Sequence, residues 1–143
     1  MTEVTFRKAV EEDHVALVKL AKTSKYTKDF SNRVMFSSPL VYEKGWIAVA
    51  EVKGQIVGFS CVRHKTRWPE TVLYFIIIDE AYRSLKIGEK LIEYVMNDGP
   101  HTSMRLNVMK DNEAAKRFYD RLGFNVVGYA INGDAYSMTK EFN

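Results

Sequence analysis

The sequence predicts one mixed α/β domain in which a largely antiparallel sheet carries a few helices, and three observations predict it. The stretch Thr71–Ile78 is an eight-residue apolar run rich in β-branched and aromatic residues, which reads as a strand buried on both faces. It feeds through a short polar connection, Asp79–Leu85, into a segment where Ile87, Leu91 and Val95 share one helical stripe widened by Ile92 and Met96. Upstream, Trp46–Val52 and Gln55–Arg63 are strand-like runs separated only by Lys53 and Gly54, the signature of a tight antiparallel hairpin. Strands in succession therefore precede the first strand-to-helix junction, which excludes a simple alternation of strand and helix.

In chain order, Val4–Arg7 reads as a short first strand. Ala9–Ala21 carries Val15, Leu17, Val18 and Leu20 among charges, with Glu11, Glu12 and Asp13 near the start, where a helix dipole favours acids. Over Thr23–Glu43 the residues Tyr26, Phe30, Val34, Met35 and Phe36 scatter among polar ones, and Ser37, Ser38 and Pro39 break any pattern. One short helix and a loop are expected there, in a segment suited to contacting a substrate. After the helix that follows Thr71–Ile78, Asn97, Asp98, Gly99 and Pro100 form a stop. Met104–Met109 alternates as a half-buried strand does. Asp111 and Asn112 are capping types, and Ala115, Phe118, Tyr119 and Leu122 follow at helical spacing until Gly123 and Phe124 close the helix. Val126–Ile131 and Tyr136–Lys140, joined through Asn132, Gly133 and Asp134, predict a closing hairpin whose exposed edges could pair two copies into a homodimer.

Composition bounds the function. The chain is 143 residues long, 46% hydrophobic and 27% charged, enough for one core-bearing domain spanning 1–143 and too apolar for disorder. Its 21 Lys and Arg against 18 Asp and Glu leave a net charge of +3, without a phosphate-tracking stripe. No nucleic-acid partner is expected, although Arg63, His64, Lys65 and Arg67 make one basic cluster. The single cysteine, Cys61, lies in an apolar run and excludes an internal disulfide. His14, His64 and His101 are too far apart and too isolated to suggest a metal site. With neither a signal peptide nor a membrane-spanning stretch in view, the expectation is a cytoplasmic protein with no membrane partner.

The junction Arg83, Ser84, Leu85, Lys86, Ile87 and Gly88 is where chemistry first enters. A helix begins with N–H groups that lack carbonyl partners and with roughly half a unit of positive charge, so a strand-to-helix turn suits a phosphate. Every helix has such an end, and Gly88 equally suits close packing of the helix on a strand.

In this order the sequence resembles the GNAT-type N-acetyltransferase superfamily over nearly its whole length. IAVAEVKGQIVGFSCV is similar to the family's second and third strands. IIIDEAYRSLKIG resembles its acetyl-CoA motif, in which Arg or Gln is followed by two residues, Gly, one residue, and Gly or Ala. LNVMKDNEAAKRFYDRLGF resembles its second motif, with Asn112, Ala115, Tyr119, Leu122, Gly123 and Phe124 at the family spacing.

The resemblance implies a mixed sheet of six to seven strands flanked by about four helices, with Thr71–Ile78 and Met104–Met109 parallel and splayed into a V-shaped cleft. Acetyl-CoA would lie there as co-substrate. Its pantetheine arm would pair with backbone groups of Ile76, Ile77 and Ile78 as an added half-strand, and its pyrophosphate would sit on the amides from Arg83 to Gly88. Asn112 would hydrogen-bond the arm, unless it serves only as a cap, and Ala115 would leave room for it. Tyr119 would be the general acid, since a phenol with a reference pKa of about 10 can protonate a departing thiolate. The activity implied is acetyl transfer to a primary amine on a small molecule or peptide, directly within a ternary complex. The alternative is a non-catalytic module of the same fold that senses acetyl-CoA or binds a protein. Two departures stand out: Lys86 replaces the usual first glycine of the phosphate loop, and Asn107 replaces a glutamate that in some relatives takes the amine's proton. Glu43, Glu51, Glu70 or a water chain are the remaining candidates for that base.

Overall fold

The computed structural model describes residues 3–29 and 40–142. The strands are β1 (Thr5–Lys8), β2 (Ile47–Val52), β3 (Gln55–His64), β4 (Thr71–Ile78), β5 (Ser103–Met109), β6 (Asn125–Ala130) and β7 (Ala135–Glu141). They form a seven-stranded sheet in the order β1-β2-β3-β4-β5-β7-β6. The α-helices among the described residues are α1 (His14–Ala21), α2 (Leu40–Glu43), α3 (Ile87–Asp98) and α4 (Glu113–Arg121). The mixed, mostly antiparallel sheet predicted from the sequence is therefore present. None of the described helices is long and apolar enough to cross a membrane.

The chain divides into two compact units, Met1–Val62 with Phe75–Val95, and Arg63–Tyr74 with Met96–Asn143. In the first, β1 and β2 pair antiparallel, as do β2 and β3, with a register shift between Ala50 and Glu51. Lys53 and Gly54 both take positive φ, 52° and 78°, as a two-residue hairpin demands. Cys61 lies on β3 and is fully buried. A core of Ala50, Val52, Val57 and Ile87 is packed by Val4, Phe6, Ile78, Tyr82 and Leu85. That cluster seats the start of α3 and the turn before it directly on the β2–β3 hairpin.

The first helix is shorter than its periodicity predicts. A 3-10 turn, Glu11–Asp13, precedes α1. The Asp13 carboxylate accepts the Val10 N–H at 2.8 Å and is gripped by the Arg7 guanidinium at 2.8 and 3.0 Å, which ties the entry to β1. In the Thr23–Glu43 stretch, Thr27 donates its hydroxyl to the Ala21 carbonyl at 2.7 Å and α2 closes the segment. The expectations for Phe30, Val34, Met35, Phe36, Ser37, Ser38 and Pro39 fall outside the described residues.

In the second unit, β5 pairs antiparallel with β7 from Ser103↔Glu141 to Met109↔Ala135, and β6 pairs with β7. β4 and β5 are parallel partners over Thr71↔Met104, Val72↔Arg105 and Leu73↔Leu106. The pairing ends there, although β4 continues to Ile78 and β5 to Met109.

Candidate functional site

The first group of expected residues follows β4. Ile76 and Ile78 are half-buried and Ile77 is buried, the alternation of a strand whose faces differ. Asp79 ends the strand: its N–H donates to the Val57 carbonyl at 2.7 Å and its carboxylate caps Ala81 N–H at 3.0 Å. A 3-10 turn, Glu80–Leu85, carries the chain to α3. Within it the Arg83 Nε donates back to the Ile78 carbonyl at 3.2 Å, so this side chain fixes the strand's exit.

Arg83, Ser84 and Lys86 are exposed, Leu85 is half-buried, and Ile87 and Gly88 are buried. Buried Ile87 anchors the helix in the core cluster while the residues before it face solvent. Lys86 has φ 58° and ψ 28°, the left-handed region, and its carbonyl accepts the Lys90 N–H at 3.1 Å, the first bond of α3. The backbone thus takes here the conformation that glycine adopts without strain, and a lysine holds it. The N–H groups of Ile87, Gly88 and Glu89 then open α3, whose first N–H groups have no carbonyl partner within the helix.

The second group follows β5. Asn112 caps α4: its side-chain oxygen accepts the Ala115 N–H at 3.3 Å, and its own N–H donates to the Met109 carbonyl at 3.0 Å. The cap uses the oxygen end of the amide only. The Nδ2 donors remain for a carbonyl ligand, so capping and cofactor contact are compatible uses of one side chain. Ala115 is half-buried, one turn along.

Tyr119 is 7% exposed and is held edge-on by Phe118 and Phe124, at centroid distances of 5.2 and 5.5 Å. Gly123, at φ 95°, turns the chain so that Phe124 N–H reaches the Tyr119 carbonyl at 3.0 Å. Burial pushes the Tyr119 phenol above its ordinary range, because the charged phenolate loses hydration. The proton stays on the oxygen at neutral pH, the state a general acid needs.

The carboxylates weighed as bases are largely committed. Glu51 accepts from Arg7 Nε, and Glu70 accepts from Arg105 Nε and a terminal nitrogen, each at 3.1 Å to its nearer oxygen. Glu43 and Asn107 are exposed. Among the described residues, no group of three or more His, Cys, Asp or Glu could hold a metal ion.

Sequence reasoning missed the Glu70–Arg105 bridge, because those residues stand 35 apart and meet only through the parallel β4–β5 pairing. It also missed a cluster of Lys110, Lys116, Tyr129 and Tyr136. The lysine following β5 and the tyrosines of the closing hairpin were its only signals.

The model of the acetyltransferase (GNAT) family matches residues 11–124. A protein of Pseudomonas phage PaMx11 named 5-NmdU N-acetyltransferase is 52% identical over 139 residues, covering 97% of this chain and 99% of the phage protein. The N-alpha-acetyltransferase RimI of Mycobacterium tuberculosis is 31% identical over 96 residues, 62% of this chain and 61% of that protein. The PaiA N-acetyltransferase of Thermoplasma acidophilum, solved in complex with coenzyme A, has a TM-score of 0.80 at 20% identity, with 98% of this chain and 99% of that one covered.

Proposed function

Because this chain belongs to the acetyltransferase (GNAT) family, with the family model covering residues 11–124, we propose that residues 1–143 act as one domain that acetylates the amine of 5-NmdU. The chain is an N-acetyltransferase that uses acetyl-CoA as co-substrate and moves the acetyl group directly to a primary amine. The observation that carries the choice of acceptor is the 52% identity with the phage 5-NmdU N-acetyltransferase across nearly the full length of both chains. We read 5-NmdU as a deoxyuridine bearing an amine on its C5 substituent, a narrower acceptor than the small-molecule or peptide amine expected from sequence.

The residues fit the co-substrate at two places. The exposed turn Arg83–Lys86 and the opening amides of α3 suit a pyrophosphate, and the Lys86 ammonium adds charge there. The Nδ2 donors of Asn112 suit an amide carbonyl of the pantetheine arm, with Ala115 giving clearance. Backbone groups of Ile76, Ile77 and Ile78 supply the half-strand contacts. Acetyl-CoA brings the activated acyl group as a thioester.

The protein's own contribution is to orient the two reactants and to manage protons. As the amine nitrogen bonds to the acetyl carbon, the carbon–sulfur bond breaks and sulfur gains an electron pair. Tyr119, which burial keeps protonated, then delivers its proton to sulfur, and the phenolate regains one from the water that takes up the amine's proton. The amine sheds its proton to water, since the arginines hold Glu51 and Glu70. Holding amine and thioester together supplies most of the acceleration.

The test is incubation of the purified protein with acetyl-CoA and 5-NmdU, followed by mass spectrometry of the nucleoside and by quantitation of released CoA. One acetyl group gained per CoA released is expected. Acetylation of a peptide N-terminus in the same assay, with 5-NmdU untouched, would overturn the choice of acceptor while leaving the enzyme class standing.

A further inference from the structure

Beside α4, the second unit carries a group of side chains that the reaction as described does not use. Tyr129 and Tyr136 are cross-strand partners on β6 and β7, their rings 5.9 Å apart and tilted by 40°. Tyr129 is 66% exposed, a large aromatic surface left to solvent. Lys110 Nζ stands 4.6 Å from the centre of the Tyr129 ring and 5.7 Å from that of Tyr136. Lys116, from the second turn of α4, stands 5.2 Å from the Tyr136 ring.

The two ammonium groups differ. Lys116 donates to both oxygens of Asp120, at 2.9 and 2.8 Å, so its charge is largely answered. Lys110 pairs with no carboxylate among the described residues, and the rings are its partners. Its backbone is fixed by the bond from its N–H to the Asp134 carbonyl at 2.9 Å, which places the ammonium over the hairpin. The hairpin end is itself held in an uncommon shape: Ile131, Asn132 and Gly133 all have positive φ, at 54°, 54° and 90°. A β-branched residue rarely takes that conformation, so local contacts hold the turn that displays the tyrosines.

An exposed aromatic face offers stacking to any planar base, and an unanswered ammonium beside it offers an anion contact. We propose that Tyr129, Tyr136, Lys110 and Lys116 form a binding site for a nucleobase that carries a phosphate. Two ligands of this reaction have that chemistry. One is the acceptor, if 5-NmdU is presented as a nucleotide; this source rests on the acceptor proposed above. The other is the 3′-phosphorylated adenosine end of CoA, which does not depend on that reading.

Calorimetric titration separates the sources without reading turnover. The probes are thymidine against thymidine 5′-monophosphate, and dephospho-CoA against CoA, on the intact chain and on Lys110→Ala, Lys110→Arg and Tyr129→Ala. In one pair the phosphorylated member should bind about tenfold more tightly, and Lys110→Ala should erase that preference while Lys110→Arg retains it. Tyr129→Ala should weaken both members of that pair about tenfold, as loss of one stacking platform does. Melting curves of the three variants establish that each is folded. Preference in the thymidine pair assigns the site to the acceptor, and preference in the CoA pair assigns it to the cofactor. Equal binding within both pairs, or a preference that survives in Lys110→Ala, would overturn the site. Lack of turnover with 5-NmdU alongside an intact thymidine monophosphate preference would remove the acceptor reading alone.

Discussion

Arg105 holds the Glu70 carboxylate through two nitrogens, each 3.1 Å from the same oxygen, and so removes from the pool of bases an acid that chain position alone leaves available. Replacement Glu70→Gln should therefore leave the pH profile of kcat/KM in place, with rate rising toward the pKa of the acceptor amine itself. A profile displaced by a whole pH unit in that variant would identify Glu70 as the base.

Tyr119 should separate binding from chemistry. In Tyr119→Phe the ring still packs between Phe118 and Phe124, so CoA affinity and melting temperature should hold. Loss of the proton donor should lower kcat by roughly a hundredfold, within the usual range for a general acid. Turnover equal to the wild type in steady-state assays would sink the assignment.

The left-handed Lys86 predicts a trade between stability and affinity. A non-glycine residue in that conformation costs roughly 1–2 kcal/mol, and glycine returns roughly 0.5–1 kcal/mol of that as chain entropy. Lys86→Gly should thus raise unfolding free energy by up to about 1 kcal/mol in denaturant titration while weakening CoA binding through loss of the ammonium. Comparison with Lys86→Ala, which loses the charge but keeps the strain, separates the two effects. Tighter CoA binding in Lys86→Gly would show that the side chain obstructs the loop.

Stability should fall at both ends of the pH scale, for different residues. Arg7 holds Asp13 below the usual carboxylate range, so Asp13 contributes stability above about pH 4 that is lost as the pH drops through its folded value. Burial pushes the Tyr42 phenol up to about 12 and raises Tyr119 as well, so both keep protons that the unfolded chain releases near pH 10. Stability is complete below that point and declines as pH rises from there. Thermal unfolding across the pH range checks this: Asp13→Asn should flatten the acid limb, and Tyr42→Phe should soften the limb between pH 10 and 12.

The parts legible in the sequence were those fixed by local rules. Thr71–Ile78 emerges as β4 with its predicted bounds because an unbroken β-branched run has few other fates. Lys53–Gly54 turns as expected, and Asn112 caps α4 as its type and position indicate. What escaped depends on partners distant in the chain. The 3-10 entry to α1 rests on Arg7 reaching Asp13, and the spent state of Glu51 and Glu70 rests on arginines from other strands. The left-handed backbone of Lys86 was signalled only by the glycine that the resembled motif has at that position; lysine itself does not announce such a residue.

The burial of Cys61 has a practical side. Each acetyl transfer liberates one thiol, on CoA, and the protein's single cysteine lies sealed within β3. A chromogenic disulfide reagent added to the native enzyme should colour only with product. Continuous recording of turnover then needs no quenching, and any slow colour from the protein alone, without acetyl-CoA or acceptor, reports the rate at which β3 opens.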